Sequence, residues 1–413
     1  MKSQSKIARG ELSRTVYVAM SGGVDSSVAA ALLKKQGYNV TGVFMRPWSP
    51  NPQGQTFGGS QGSTFNYCFW KQDREDALRA AAVLGIPFLT WDFSKEYKKE
   101  VGDYMLREYK AGRTPNPDVM CNKKIKFGLF FKKALKEGAD YIATGHYVKL
   151  RRGPVSAYPH RAHYHSARWG SPSRATPLGY SLYVAMDTNK DQSYFLWTLT
   201  QEQLKYCIFP IGDYSKPEVR KLAKKFGLPN HDKKDSQGVC FIGPLNMKDF
   251  LKKYIKPKSG EIRLHRLHGA HVKHGHHVTV GKHDGVYYYT IGQRHGLDIK
   301  NGQGPYFVVG KDMKKNIIYV ADKETRDKRQ ETRMRIKQVN WIGIKPKLPA
   351  KVGVRIRYRS KSVPAIISSH KSRYKIRDTR YNIHFLRPVR AITPGQSAVF
   401  YKGEELLGGG IIS

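Results

Sequence analysis

The chain alternates short apolar runs with amphipathic stretches over its first third. Residues 15–20 (TVYVAM) are β-branched and apolar and stop at a Ser-Gly-Gly loop, which predicts a buried strand. Residues 24–36 carry apolar positions at helical spacing until Gly37, which predicts a helix with a glycine stop. The alternation continues with strands over 39–45, 87–92 and 141–144. Helices are predicted over 72–84, 94–109 and 121–137, with Gly85 and Gly138 as further stops. Strands and helices in this order predict an α/β domain, a doubly wound parallel sheet covered on both faces. Two segments break the pattern: 46–66 and 151–180 are rich in Gly, Pro, Ser and Arg and read as long surface loops.

Beyond Cys240 the period shortens. Runs such as HVTVGKHDGVYYYTIGQ, PYFVVGKD, NIIYVAD, KVGVRIRYRS, PAIISS and AVFYKGEELLGGGI read as strands separated by turns. They predict a small central β-rich domain followed by a C-terminal β-barrel. The expected division is a basic leader at 1–14, the α/β domain at 15–241, the central domain at 242–305 and the barrel at 306–413. There is no internal repeat.

Composition sharpens this picture. The 413 residues hold 73 Lys and Arg against 32 Asp and Glu, a formal charge of +41. A surface this positive repels itself and is relieved by contact with phosphates, so the balance points to a nucleic-acid partner. A basic organellar proteome or an AT-rich genome would give the same bias. No apolar run reaches the roughly 18 residues of a membrane span. The four cysteines, Cys68, Cys121, Cys207 and Cys240, lack any CxxC spacing, which excludes a disulfide-built fold and suggests reduced thiols. The leader carries Lys2, Lys6, Arg9 and Arg14 against one acid, Glu11, in the manner of a mitochondrial presequence; a plain basic leader has the same composition.

Three motifs carry chemistry. Ser21, Gly22, Gly23, Val24, Asp25, Ser26 and Ser27 lie between a strand and a helix N-terminus, where glycines let amide N–H groups and the helix dipole face a phosphate. Asp25 suits a Mg²⁺ on a nucleotide; a tight Gly turn with an Asp cap is the alternative. No GxxxxGK[ST] occurs. Residues 113–122 (RTPNPDVMCN) place Asn116, Pro117 and Asp118 just before Cys121 at a predicted helix start, where a thiolate is favoured by the dipole and Asp118 could move a proton. A buried Cys with Asp118 as helix cap is the alternative. In 234–243 (KDSQGVCFIG), Gly238 and Gly243 flank Cys240 and allow a mobile loop; taken alone, the motif reads better as a buried structural Cys, and its pairing with Cys121 changes that.

The first motif, after its strand, resembles the PP-loop of the ATP pyrophosphatases. All three together are similar to those of the tRNA-specific 2-thiouridylases, bacterial and mitochondrial. Segments 42–45, 143–147, 190–196, 289–294 and 391–401 extend the resemblance over nearly the whole chain. It implies that Ala19, Met20, Met45 and Gly145 line the ATP site with the loop, and that Asn116, Pro117 and Asp118 hold an extruded wobble uridine of the tRNA anticodon loop. His146, Lys190, Asp191, Gln192, Arg357, Tyr358 and Gln396 would touch tRNA. Cys240 would carry persulfide sulfur from a donor protein, with Cys121 the nucleophile that closes a disulfide with it and Asp118 the acid or base. ATP and Mg²⁺ are the implied cofactors, no metal site is assigned to side chains, and a monomer is expected. A mitochondrial location is expected, with the bacterial cytoplasm as the alternative. Residues 355–359 (RIRYR) would grip phosphates. Gln237 and Val239 stand where many relatives have Thr and Ile; the 151–180 loop and the seven histidines between His265 and His283 are not family features. Rival readings are another PP-loop ligase, tRNA-modifying or amide-forming, and an RNA-binding protein with an inactive nucleotide fold.

Overall fold

Val16 and Val18 of the first strand fall in one apolar core, whereas Tyr17 and Ala19 border another. A period of two sends alternate side chains to opposite faces, and both faces are buried, as a covered parallel sheet requires. The computed structural model describes residues 14–49, 69–154, 178–235, 247–265, 278–328, 331–369 and 380–413. Cys68, Cys240, leader residues 1–13, most of the two expected loops and the five histidines between 266 and 277 lie outside those residues.

The parallel sheet contains β1 (Thr15–Ala19), β2 (Asn39–Arg46), β3 (Phe88–Asp92) and β4 (Tyr141–Thr144). The hairpin β5 (Lys149–Pro154) and β6 (Leu178–Tyr183) leaves it, and β7 (Cys207–Ile208) returns to its edge. The order is β3-β2-β1-β4-β7, with every pairing parallel. The chain runs outward from β1 to β3 and then crosses to the other side of β1, so a crevice opens at the carboxyl ends of β1 and β4. Helix α1 (Val24–Lys35) starts at that crevice, and Phe69–Leu84 forms the next helix. The stretches 94–110 and 117–136 are helical, wound as π-helix at Lys98–Gly102 and Asn122–Phe130. The second begins four residues before the position expected from periodicity, because Pro117 occupies its first turn, where no N–H is needed and its fixed φ suits a helix.

The central sheet has β8 (Gly260–Leu264), β9 (Val278–His283), β10 (Phe307–Asp312) and β11 (Ile317–Ala321) in the order β10-β11-β8-β9. The boundary expected between 305 and 306 falls between β9 and β10 of this one sheet. Strands β12 (Glu331–Trp341), β13 (Ala350–Arg355), β14 (Val363–Ser369), β15 (Tyr381–Val389), β16 (Ser397–Lys402) and β17 (Glu405–Ile412) follow. They pair antiparallel as β12-β15-β14-β13-β16-β17, and β12 also pairs with β17, which closes a six-stranded barrel. Among the described residues no helix is long and apolar enough to cross a membrane.

Three local expectations need correction. Residues 151–154 and 178–180 are not loop: they are strand, paired from Lys149↔Tyr183 to Pro154↔Leu178, and β6 continues the barrel sheet by pairing with β17. Tyr289 to Gln293 is not strand either; Val286–Tyr288 makes a 3₁₀ turn instead, and Tyr288 and Tyr289 are buried. The basic run at 355–359 leaves its strand at Arg355, and Arg359 has φ +61°.

Candidate active site

The loop after β1 is shaped by two close backbone approaches. Gly22 has φ +77°, and a Cβ there would lie 2.1 Å from the carbonyl oxygen of Asp73. Gly145, just after β4, abuts the start of α1 so tightly that a Cβ would lie 2.6 Å from the Ser26 nitrogen. Within the loop, Ser26 Oγ accepts from the Ser21 amide (3.2 Å) and donates to the Gly23 carbonyl (3.1 Å), as does Ser27 Oγ (3.1 Å). Asn230 Nδ2 holds the loop from outside, donating to the Gly22 carbonyl (2.9 Å) and Ser27 Oγ (3.0 Å). Gly23 is the N-cap of α1 and contributes no side-chain cap, and Ser21 is exposed. The first four amides of a helix have no intrahelical acceptor. An uncapped helix start at the carboxyl end of β1, beside an exposed hydroxyl, fits the phosphates of a nucleotide.

Asp25 is held by two neighbours that its own motif does not contain. Its Oδ1 accepts from Tyr147 Oη at 2.9 Å and from Lys216 Nζ at 2.7 Å. Lys216 also reaches Asp235 Oδ1 at 2.8 Å, and Asp235 is further paired with Lys190 and with Arg220 (3.3 Å). Burial works against ionisation of Asp235, but these cations outweigh it and hold its carboxyl down at about 2. Lys233 bridges Asp73 (2.7 Å) and Asp76 (2.6 Å) of the helix Phe69–Leu84. Lys216, Asp235, Asn230 and Tyr147 were not among the sequence candidates. Tyr147 and Asp235 do stand inside the segments 143–147 and 234–243, and the sequence signal for Lys216 was the spacing of Ser215 and Glu218, which marks a capping box and thus a helix start, with an unexplained lysine at its first position.

The second motif lies against the first through three consecutive residues. Gly145 touches α1, Tyr147 binds Asp25, and between them His146 packs on Phe127 (5.8 Å between ring centroids) of the helical stretch that begins at Pro117. His146 is buried, and burial, with Lys126 nearby, holds its imidazole well below its ordinary value. Its Nδ1 lies 2.7 Å from Thr144 Oγ1. Contact between His146 and an RNA would require its uncovering. Cys121 is 4% exposed. Burial raises the Asp118 carboxyl above the usual range, with Lys126 opposing. Asn116 Nδ2 donates to Tyr194 Oη at 3.3 Å. Cys207 is core: burial pushes its thiol far up, and its Sγ donates to the Gln203 carbonyl.

Residues 14–244 match the family described as tRNA methyl transferase HUP domain, 248–322 the tRNA methyl transferase PRC-barrel domain, and 331–412 the aminomethyltransferase beta-barrel domain. A tRNA-specific 2-thiouridylase MnmA of Geobacillus thermodenitrificans is 42% identical over 400 residues, covering 96% of this chain and 94% of the relative. Its namesake in Lysinibacillus sphaericus is 41% identical over 399 residues, covering 96% and 93%. The chain belongs to the tRNA-specific 2-thiouridylase family.

In this 2-thiouridylase several residues expected to touch tRNA are committed to joining the domains. Asp191 is 4% exposed. Its carboxylate accepts from Arg355 Nη1 (2.8 Å), Ser193 Oγ (2.9 Å) and the amides of Ser193 and Ala185 (both 3.2 Å), which leaves no surface for RNA in this conformation. Gln192 accepts from the Tyr147 amide (2.9 Å). Arg357 Nη2 donates to the carbonyl of Ile291 (2.7 Å) and to Thr393 Oγ1 (3.2 Å), so it ties the central domain to the barrel. Tyr358 packs on Phe195 (4.5 Å between centroids). Gln396 donates to the carbonyls of Thr114 (3.0 Å) and Pro115 (3.1 Å) and so holds the loop that precedes Asp118. Arg355 and Arg357 are therefore turned inward and do not form the phosphate grip expected at 355–359. Met45 is partly buried at the end of β2. Of the seven histidines, His283 is a core residue whose Nδ1 accepts from the Gly285 amide. Among the described residues no group of three or more His, Cys, Asp or Glu could hold a metal ion.

Proposed function

We propose that the chain replaces the 2-oxygen of the wobble uridine of tRNA with sulfur, consuming ATP. One observation carries this reading: the uncapped loop after β1 lies at the switch point of the sheet, and residues 145–147 link it to Phe127 of the helical stretch that also bears Asp118 and Cys121. Oxide is a very poor leaving group from a pyrimidine carbon, and transfer of AMP to that oxygen makes it a competent one. The loop amides and Ser21 bind the phosphates, and Gly145 fixes the position of the loop. Mg²⁺ is compatible with this site, because it keeps water and phosphate oxygens and needs few protein carboxylates, of which Asp25 is one; when bound it supplies neutralising charge.

In this reading Asn116 and Asp118 meet the edge of an extruded base. Cys240, carrying a persulfide from a donor protein, attacks the activated carbon and AMP leaves with the oxygen. The Cys121 thiolate then attacks the Cys240 sulfur, releasing the thiolated uridine and closing a Cys121–Cys240 disulfide. The transferred sulfur gains two electrons, the two thiols lose them, and a reductant reopens the bond. A monomer acting in mitochondria is part of the proposal, supported by the scarcity of acids and the charge of +41.

The test is incubation of the protein with unmodified tRNA, ATP and a persulfide donor, followed by nucleoside mass spectrometry. Thiolated uridine and AMP are expected. Product surviving Cys240→Ser would remove the persulfide role, and AMP without sulfur incorporation would favour a ligase.

Asp118 gives a pH signature. Its carboxyl is raised, so as a base it is lost by protonation above the pH at which an ordinary carboxylate titrates. The acid limb of the thiolation rate is expected above that range, and Asp118→Asn is expected to lower the rate by about 10²- to 10⁴-fold and to abolish the limb. A carboxyl raised in the folded state favours the fold only when protonated, so the neutral amide is not expected to unfold the protein. A rate profile unchanged by the substitution would exclude Asp118 from proton transfer.

A further inference from the structure

Lys216 sits where helix physics argues against a lysine. It is the first residue of the helix Lys216–Lys225, at the positive end of the dipole, and only 8% exposed. Both factors disfavour its charge, and two carboxylates, Asp25 and Asp235, compensate. The backbone is anchored by the Lys216 amide, which donates to Asp187 Oδ2 at 3.0 Å, whereas the ammonium ends a flexible four-carbon chain. Neither carboxylate depends on Lys216 alone. Asp25 keeps Tyr147 Oη, and Asp235 keeps Lys190 and Arg220. Three cations, Lys216, Lys190 and Arg220, are thus interleaved with the carboxylates of Asp25, Asp235 and Asp187 beside a loop shaped for phosphates, and Lys216 can leave without stranding either of its partners.

We infer that Lys216 is a further catalytic residue, acting in the adenylation step. Its ammonium, here held by Asp25 and Asp235, turns onto the phosphates of ATP and neutralises the leaving pyrophosphate. The inference rests on the ATP-dependent reading proposed above. In that step the uridine oxygen bonds to the α-phosphorus, the bridge to the β-phosphate breaks, and the bonding pair leaves on pyrophosphate. Binding ATP takes Lys216 away from carboxylates that already hold it, so its gain in the ground state is largely offset. Its effect falls on the transition state, where the new charge develops.

The test uses the full-length protein as wild type, Lys216→Met, Lys216→Gln and Lys216→Arg. Mg·ATP binding is measured by calorimetry and pyrophosphate release is followed with unmodified tRNA. Lys216→Met is expected to bind Mg·ATP within about threefold of wild type and to release pyrophosphate about 10²-fold more slowly, with Lys216→Arg recovering much of the rate. Lys216→Gln puts a polar, uncharged group toward the carboxylates and should show the same slow release, so it tests the inference should Lys216→Met fold poorly. Unchanged release by the uncharged variants, or loss of ATP binding in proportion to rate, would overturn the inference. Wild type that converts no ATP would overturn the functional reading with it, whereas active wild type with an unaffected Lys216→Gln overturns this inference alone.

Discussion

Cys121→Ser is expected to leave pyrophosphate release intact and to reduce thiolated uridine to background. Adenylation is assigned to the loop after β1, which Cys121 does not form, so the first half of the reaction should survive. The second half requires a thiolate to attack a sulfur atom, and a serine hydroxyl, ionising far above neutral pH, cannot replace it. Serine is nearly the size of cysteine, and the helix beginning at Pro117 makes no demand on a sulfur for its winding, so the fold should persist. With the second thiol gone, the uridine carbon stays linked through sulfur to Cys240. A protein–tRNA adduct is therefore expected in denaturing gels, released by dithiothreitol. Thiolated nucleoside within twofold of wild type would remove Cys121 from the reaction. Since Cys121 is 4% exposed, its alkylation in the free protein should also be slow compared with that of a surface thiol.

The parallel sheet was legible because its strands are short apolar runs ended by glycines, and the structure ends β1 and β4 within one residue of the predicted positions. What local pattern could not encode was pairing over distance. Arg151, Arg152, Gly153 and Pro154 have loop composition, yet they are strand because β6 lies between them and β17. The π-helical winding of Asn122–Phe130 is likewise invisible to a 3.6-residue period. The same division holds at the site. The loop after β1 and the Asp118–Cys121 segment are each contiguous in sequence and so could be read as motifs. Lys216 lies 191 positions from Asp25, and Tyr147 lies 122 positions from it, so nothing local connects them. Motif resemblance marked 190–196 and 391–401 and assigned Lys190, Asp191, Gln192 and Gln396 within them to tRNA contact. The hydrogen bonds answer for several of these residues: Tyr194 Oη donates to the Ser397 carbonyl (2.8 Å) and Trp197 Nε1 to Ser397 Oγ (3.0 Å), so the two segments bind each other.

That joint makes a second large effect expected at Asp191. Replacing Asp191 with alanine leaves Arg355, whose side chain is 21% exposed, without its carboxylate, and deprives Ser193 Oγ and two amides of their acceptor. Removing one partner of a buried, hydrogen-bonded ion pair costs about 3–5 kcal/mol, because the other charge stays desolvated. Urea unfolding of Asp191→Ala should show a loss of that size, and limited proteolysis should cut first between the α/β domain and the barrel. Replacing both partners, as Asp191→Leu with Arg355→Met, should recover part of the loss, since a well-packed apolar pair can equal a buried ion pair. A residue that served only to contact tRNA would behave in the opposite way, with unchanged unfolding and weaker tRNA binding at low salt. Stability and binding measured on the same variant therefore decide between a joint and a contact. The four donors converging on a 4%-exposed carboxylate place the expectation on the joint.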